Sequence, residues 1–274
     1  MNAAKNTPPD DEHDPKELPL VSHLVELRDR ILRSVVVVFV VFLAMIAWAS
    51  DIYEFVSAPL TGVLNADLGE RIISTRPLDP FLAPFKLTFM LAIFICIPYI
   101  LHQAWAFIAP GLYRNEVKIT LPIIVSSVLL FYLGVAFSYF VVLGFLFDFF
   151  TSVAPNNVTV MTDMTAYLDF VMSLFLAFGL VFEIPIATLL LVITGVVTPK
   201  VLSEKRPYVI IGCFLIATFL TPPDPFSQCM LAIPMCLLYE AGIIASRVVY
   251  RRKKDEDDAE EGGEEDKKEE TTTS

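Results

Sequence analysis

Residues 168–197 form an almost entirely apolar run of about thirty residues, LDFVMSLFLAFGLVFEIPIATLLLVITGVV. A run of this length can cross a lipid bilayer, so it predicts a membrane-spanning helix. Glu183 lies near its centre, where an ionisable side chain costs at least a few kcal/mol, and Pro185 removes a helix hydrogen bond two residues later. Glu183 is therefore a candidate functional residue. The alternative is a protonated glutamate that bonds a neighbouring helix as a structural contact.

The composition of the whole chain indicates a membrane protein. Its 274 residues are 55% hydrophobic with a mean hydropathy of +0.62, as expected for an all-α polytopic membrane protein. The net charge of −11 is concentrated at one end, because residues 255–270 contain 11 acids and 2 lysines. We expect a disordered acidic cytoplasmic tail over residues 251–274, a disordered N-terminal tail over 1–18, and a membrane domain over 19–250.

Six apolar stretches predict six transmembrane helices. They cover residues 31–50, 87–108, 119–147, 168–197, 208–220 and 226–248. We expect an amphipathic helix over residues 19–33 to lie in the membrane interface before the first span, and Asp148 to end the third. The fifth stretch, and the apolar part of the sixth before Glu240, are short for a hydrocarbon core of roughly 30 Å.

The distribution of basic residues predicts the orientation in the membrane. With a cytoplasmic N-terminus, the inside segments carry 17 Lys and Arg residues and the outside loops carry 3. The positive-inside rule then places both termini in the cytoplasm. Asp79-Pro80 and Asp224-Pro225 each precede a span entered from outside, and an Asp followed by Pro is typical of a helix start.

Five short motifs follow one another along the chain. They are HLVELRDRIL (23–32), AWAFIAPGLYRNE (104–116), AFGLVFEIP (177–185), KRPYVIIG (205–212) and TPPDPFSQ (221–228). Together they closely resemble the TatC family, the multispanning receptor subunits of the twin-arginine protein translocase, over roughly residues 18–250. The resemblance implies a concave six-helix bundle of the cytoplasmic (inner) membrane, in an oligomeric complex with TatA- and TatB-like single-span proteins. It implies that the chain binds twin-arginine signal peptides of folded cargo, which the proton-motive force exports without ATP.

The resemblance also implies which residues carry the function. Glu26 and Glu116 match the two acids that bind the twin arginines in the family. The other matching positions are Arg28, Phe107 and Leu112 for the signal peptide, Glu183 for an intramembrane partner contact, and Pro59 and Asp224 as further functional candidates. The family pattern has a proline where this chain has Leu143-Gly144, which leaves the local helix geometry open.

The residues themselves allow two interpretations of the acidic pair. Glu26 and Glu116 lie on the same, cytoplasmic side, and two carboxylates on one rim could each bind a guanidinium through paired, charge-assisted hydrogen bonds. Alternatively, each acid pairs internally, Glu26 with Arg30 and Glu116 with Arg114 or Lys118, as surface charges commonly do. Asp224 could likewise serve only as a helix start.

Two classes of function remain open from the residues alone. One is a receptor and assembly platform for protein export; the other is a proton-coupled secondary transporter with Glu183 as its carrier. The chain has no catalytic or nucleotide-binding motif, its histidines are isolated, and its four cysteines lie in apolar runs, so we predict no enzyme activity, metal, cofactor or nucleic acid. For Glu183 we expect an open, lipid-facing concavity in which it hydrogen-bonds a polar residue of a partner helix.

Overall fold

The chain folds into a helical membrane domain. The computed structural model describes residues 17–54, 71–108, 117–153, 161–221 and 224–272. The helices are α1 Glu17–Met45, α2 Asp79–Ile108, α3 Val117–Phe137, α4 Leu143–Val153, α5 Met164–Val181, α6 Ile184–Ile193, α7 Pro199–Glu204, α8 Arg206–Leu220 and α9 Pro225–Thr272. Two three-residue strands, β1 Arg71–Ile73 and β2 Met161–Asp163, pair in parallel.

Five helical segments are long and apolar enough to cross a membrane, and a sixth is shorter. The long segments are Val21–Glu54, Asp79–Ile108, Leu121–Phe150, Met164–Ile193 and Pro225–Arg251, and the short one is Arg206–Leu220. These six segments confirm the predicted all-α fold with six spans.

The first span differs from its prediction. The sequence predicts a short amphipathic helix over residues 19–33 that lies in the interface and leads into the first span, and in the structure α1 runs without interruption from Glu17 to Met45. A continuous helix cannot lie flat in the interface and also cross the bilayer, so the amphipathic part is the first portion of the span itself. α1 packs mainly against α2 and leaves most of its other side chains exposed.

The second and third spans are both longer than predicted. α2 begins at Asp79 rather than at residue 87, because the Asp79-Pro80 pair starts a helix as its sequence indicates. Asp148 does not end the third span: the helix passes through this exposed acid and ends at Val153. A five-residue π-helical segment, Ser138–Val142, lies directly before the Leu143-Gly144 pair.

The fourth span is broken at Glu183. α5 ends at Val181, and α6 begins at Ile184 with Pro185 in its first turn. Proline has no N–H to continue the helical ladder, so two helices replace the single one predicted over 168–197. The backbone N–H of Glu183 still bonds to the carbonyl of Leu180 at 3.1 Å, and its carbonyl accepts from the N–H of Ala187 at 2.8 Å.

The fifth and sixth spans have different lengths. α8 has 15 residues, about 22 Å of helix, and is as short as predicted. The sixth span was also expected to be short because of Glu240, but Pro225–Arg251 is 27 residues long and α9 continues to Thr272. Glu240 fits inside the helix because it pairs with Arg206 of α8.

The helical end of α9 differs from the disordered tail predicted over residues 251–274. The predicted N-terminal tail falls almost wholly on residues 1–16, which lie outside the described residues.

Close helix contacts hold α5 and α6 at the centre of the bundle. A Cβ at Gly179 of α5 would lie 2.5 Å from the ring of Phe131 in α3, so only glycine allows this approach. A Cβ at Gly242 of α9 would lie 2.4 Å from the hydroxyl of Thr188 in α6. The side chains of Leu174 and Phe178 are fully buried at this centre.

The two outer connections, one between the first and second spans and one between the third and fourth, meet at the β1–β2 pair. Asp163 accepts hydrogen bonds from the hydroxyl of Thr75 at 2.6 Å and from its N–H at 3.2 Å. Lys86 of α2 pairs with Asp169 of α5 close by. These contacts link the start of the second span to the start of the fourth.

Candidate functional site

The first candidate site lies where the beginning of α1 meets the end of α2. We call it the α1–α2 site, and it comprises His23, Glu26, Arg30, Gln103 and Phe107. Two turns of α1 supply the first three residues. Gln103 and Phe107 are four positions apart on α2 and therefore lie on one face of that helix.

Glu26 is the half-exposed carboxylate of this site. Its Oε1 accepts from Nε of Arg30 at 2.9 Å and from Nη2 of Arg30 at 2.6 Å. Its Oε2 faces Nδ1 of His23 at 3.9 Å, beyond hydrogen-bonding distance. One carboxylate oxygen is therefore engaged by a guanidinium of the same chain, and the other faces the imidazole of His23.

Arg30 joins the two helices. Its Nη1 donates to Oε1 of Gln103 at 3.0 Å, so one guanidinium bonds to a carboxylate on α1 and an amide on α2. The hydrocarbon part of Arg30 lines an apolar groove of about 490 Å³ between the helices, together with residues such as Leu27 and Phe39. Internal pairing of Glu26, left open by the sequence, is thus present in the structure.

Phe107 lies beside this ion pair. Its ring stacks on the imidazole of His23, with centroids 4.1 Å apart and an angle of 10° between the planes. Arg28 is exposed and pairs with Asp29 at 2.8 Å instead of with Glu26. Of the predicted signal-peptide residues, Glu26 and Phe107 are thus brought together, whereas Leu112 and Glu116 lie outside the described residues, as does Pro59.

The second candidate site lies at the break in the fourth span. Here Trp105 of α2, Ser127 of α3 and Glu183 form a buried hydrogen-bonded chain, which we call the intramembrane network. Nε1 of Trp105 donates to Oγ of Ser127 at 2.8 Å, and Oγ of Ser127 donates to Oε2 of Glu183. Because the indole N–H can only donate, the serine hydroxyl accepts from it and directs its own hydrogen at the carboxyl group.

Glu183 is enclosed rather than open. It is only 7% exposed, whereas the sequence led us to expect an open, lipid-facing concavity around it. The expectation of an exposed side chain is wrong, because three spans of the same chain surround the carboxyl group and Ser127 bonds one of its oxygens. The other oxygen, Oε1, is buried and has no hydrogen-bond partner among the described residues.

Asp224 starts the last helix. Its Oδ1 accepts from the N–H of Ser227 at 2.7 Å, as a helix-capping carboxylate does. Phe226 beside it stacks on Phe149 of the third span at 4.3 Å. The structure therefore gives Asp224 the helix-start role, while its Oδ2 has no partner among the described residues.

Sequence reasoning missed several members of both sites. Gln103, Ser127 and Trp105 carry no charge, and nothing in their spacing distinguishes them from other polar residues in apolar helices. His23 was excluded as a metal ligand and not considered as a stacking partner. Within the described ranges, no three His, Cys, Asp or Glu side chains cluster as metal ligands would.

Comparisons with known proteins find relatives over most of the chain. A family model described as Sec-independent protein translocase protein (TatC) matches residues 22–234. The chain is 54% identical over 229 residues to the Sec-independent protein translocase protein TatC of Haemophilus influenzae, covering 84% of this chain and 89% of that one. It is 49% identical to the TatC of Escherichia coli K12 over 84% of this chain and 88% of the relative.

Solved structures show the same fold. The crystal structure of a twin-arginine translocase receptor TatC matches with a TM-score of 0.73 and 32% identity, over 82% of this chain and 98% of that chain. A second TatC crystal structure, in the detergent DDM, matches with a TM-score of 0.74 and 33% identity, over 82% and 99% of the two chains. The chain therefore belongs to the TatC family of Sec-independent protein translocase proteins.

Proposed function

We propose that this chain is the receptor and core subunit of a twin-arginine translocase, and that the α1–α2 site binds the arginines of the signal peptide. The observation that carries the proposal is the Glu26 carboxylate, which is half-exposed at the start of the first span and already bonds a guanidinium. Carboxylate and guanidinium form the short, charge-assisted contacts that such recognition needs.

The surroundings of Glu26 fit an arginine-rich ligand. The stacked pair of His23 and Phe107 presents an aromatic surface beside the carboxylate, and guanidinium planes stack well on aromatic faces. The apolar groove between α1 and α2 begins at the same place. Glu116 is proposed as the second acid, so that two carboxylates meet two arginines, with Arg28 and Leu112 as further contacts.

The membrane topology of this proposal follows from charge. Both termini lie in the cytoplasm, since the inside segments carry 17 of the 20 basic residues. The α1–α2 site then faces the cytoplasm, where signal peptides of folded proteins are available. The chain is placed in the cytoplasmic membrane, in a complex with TatA- and TatB-like single-span proteins, with export driven by the proton-motive force.

Glu183 has a partner role in this proposal, although the carboxyl group is enclosed. Oε1 remains buried without a bond from the described residues, and such an oxygen gains free energy when a donor reaches it. A polar residue of a TatA- or TatB-like helix is the proposed donor, and contact requires a small opening between the spans. Pro59 and Asp224 are proposed to support the assembly from the outer side.

Site-directed photocrosslinking tests the proposal. A photoreactive residue at position 22, one turn from Glu26 on the same face of α1, should crosslink a twin-arginine precursor in membrane vesicles. The matched control is position 24, which lies on the opposite face and is well exposed. Crosslinking at both positions, or at neither, would place the signal peptide elsewhere.

The transporter alternative has no observation in its favour. A proton carrier needs a path on which its carboxyl group reaches water, and Glu183 is 7% exposed between spans of its own chain. The chain also shares most of its membrane domain with translocase proteins, as the family match over residues 22–234 shows.

A further inference from the structure

The packing of the helices divides the described chain into two halves, which are joined at the break in the fourth span. The N-terminal half comprises α1–α5 and the C-terminal half comprises α6–α9. In the first, α1 packs on α2 and α3 packs on α5; in the second, α9 packs on both α6 and α8. The contacts of α5 with α8 and α9, which link the halves, are less extensive. Each half is therefore packed mainly within itself.

Interlocked and polar contacts hold each half together. Gly179 of α5 fits against the ring of Phe131 in the N-terminal half, and Gly242 of α9 fits against Thr188 of α6 in the C-terminal half. Each half also has an ion pair between two of its helices: Lys86 with Asp169, and Arg206 with Glu240. Separating the helices of one half would break these contacts.

The halves meet through apolar side chains. At their outer ends, the ring of Phe149 in α4 stacks on Phe226 in α9, with centroids 4.3 Å apart. Deeper in the bundle, apolar residues of α3 and α5 join those of α8 and α9 in one core. Lipid tails are as apolar as leucine, so the hydrophobic effect does not hold such faces together inside a bilayer. The contact between the halves is therefore easier to open than the contacts within them.

The backbone at the break has the geometry of a hinge. The ψ angles of Phe182 and Glu183 are −13° and −16°, whereas an α-helix has about −42°. The N–H of Glu183 bonds to the carbonyl of Leu180, three residues back, as in a 3₁₀ turn. A short 3₁₀ stretch within a long helix often marks a hinge. Pro185, which has no N–H, prevents the α-helical ladder from closing across this stretch.

We propose that the two halves move relative to each other about residues 182–185, and that this movement opens Oε1 of Glu183 to a donor from a partner helix. The inference rests on the proposed partner role of Glu183 and provides the opening that this role requires. Ser127 bonds Oε2 and keeps Glu183 with the N-terminal half, so the C-terminal half is the part that moves away. Oε1 has no donor among the described residues, so a partner that supplies one favours the open arrangement.

Distances between spin labels test the movement itself. The four native cysteines are replaced by alanine in the full chain, and labels are placed at Phe145 and Phe219, exposed positions of the two halves. In lipid vesicles, we expect a broader distance distribution than for the control pair Phe145 and Phe81, which are both exposed and both in the N-terminal half. Pro185→Ala supplies the missing N–H and should narrow the first distribution to that of the control. Equal widths for the two pairs without this change overturn the movement.

A reversible lock tests the link to the partner. Cysteines replace Phe149 and Phe226 in the cysteine-free chain, and a short bis-methanethiosulfonate reagent joins them. A photoreactive residue at Leu180, which is exposed and three positions before Glu183, reports contact with single-span partners in the same vesicles. Because the lock removes the binding-competent state, crosslinking should fall at least about fivefold, and a reducing agent should restore it.

The matched control joins cysteines at Phe147 and Phe170, a ring pair 6.5 Å apart within the N-terminal half, and should leave crosslinking unchanged. Crosslinking that persists under the first lock, or that falls equally under both, overturns the inference. Glu183→Ala in the unlocked chain separates this failure from that of the proposed function. If the contact survives Glu183→Ala, the partner role of Glu183 is wrong, whereas if it is lost there and the lock has no effect, only the hinge fails.

Discussion

The two glutamates of this molecule, Glu26 and Glu183, have partners of opposite kinds. Glu26 is half-exposed and bonds a charged guanidinium, with an amide from a second helix completing the contact. Glu183 is buried and bonds a neutral hydroxyl, which is in turn bonded by an indole. The helix α2 contributes to both sites: Gln103 and Phe107 face α1 from one side of it, and Trp105 faces α3 from the other.

The difference follows from the solvent around each group. Near water, an ion pair can form and exchange at modest cost, since surface pairs contribute at most about 1 kcal/mol. Inside the bilayer, a charged partner adds its own desolvation cost, and a neutral donor avoids it. The α1–α2 site is therefore suited to reversible binding of charged ligands. The intramembrane network is suited to a fixed contact, in which Oε1 of Glu183 has no hydrogen-bond donor among the described residues.

The largest expected effect is on peptide binding at the α1–α2 site. Glu26→Ala removes charged hydrogen bonds of about 1.5–3 kcal/mol each, so we expect the affinity for a twin-arginine peptide to fall at least about tenfold. Glu26→Lys should be worse because it repels the arginines. Kd values in membrane vesicles measure the effect.

Glu183→Ala is the matched variant for this test. It removes a carboxyl group of equal size at the other site, and peptide affinity should stay within about twofold while transport of a folded cargo falls. Equal losses of peptide affinity at both positions would mean that the two sites are not separate.

The next effect concerns stability in the intramembrane network. Ser127→Ala removes the hydroxyl that joins Trp105 to Glu183 and leaves polar groups on both sides unpaired. We expect it to lower the free energy of unfolding by about 1–3 kcal/mol. Glu183→Gln keeps an acceptor for Ser127 and should cost less.

Thermal unfolding in detergent gives the comparison, and a double-mutant cycle between Ser127→Ala and Glu183→Ala isolates their interaction. Additive effects would show that the hydrogen bond contributes nothing.

The two sites also show which features of the structure could be predicted from the sequence. The six spans and the loss of a helix hydrogen bond at Pro185 follow from local rules of hydrophobic length and helix chemistry. The partners of the acids do not, because Gln103 is 73 positions from Arg30 and Ser127 is 56 positions from Glu183. Gln103 and Ser127 are uncharged, and only the packing of the helices brings them to residues so distant in the sequence. No sequence spacing indicates these contacts. The same reason applies to Glu240, whose partner Arg206 is 34 positions away in the chain.

Changing the length of the fifth span should separate transport from binding. α8 has 15 residues, about 22 Å of helix, against a hydrocarbon core of roughly 30 Å, so we expect the bilayer to be thinner beside it. Three or four leucines inserted into α8 should reduce transport several-fold and leave peptide affinity at the rim unchanged. The same insertion in the tail of α9 beyond Arg251 is the control. Normal transport by the lengthened protein would exclude thinning from the mechanism.

Asp163 offers the smallest and sharpest test, because it is accessible like Glu26 yet has neutral partners like Glu183. Hydrogen bonds from Thr75 and from the N–H groups of Ala166 and Thr165 hold the pKa of its carboxyl group below the ordinary value of 3.8. A lowered pKa means that the ionised form stabilises the fold, so its contribution is complete above the ordinary value and is lost as the pH falls through the lowered one.

At neutral pH, Asp163→Asn should imitate that loss. It keeps one carbonyl acceptor but removes the charge that strengthens the bonds across the outer connections. We expect faster hydrogen exchange at the N–H groups of Thr75 and Ala166, with unchanged peptide affinity at the rim and unchanged exchange in α1. As the pH is lowered through the acidic range, the wild-type protein should approach the variant, after correction for the intrinsic pH dependence of exchange. If the variant exchanges like the wild type, hydrogen bonds from neutral donors to the Asp163 carboxylate do not stabilise the structure around it. The difference between Glu26 of the α1–α2 site and Glu183 of the intramembrane network would then depend only on the charge of the partner, which for Glu26 is Arg30.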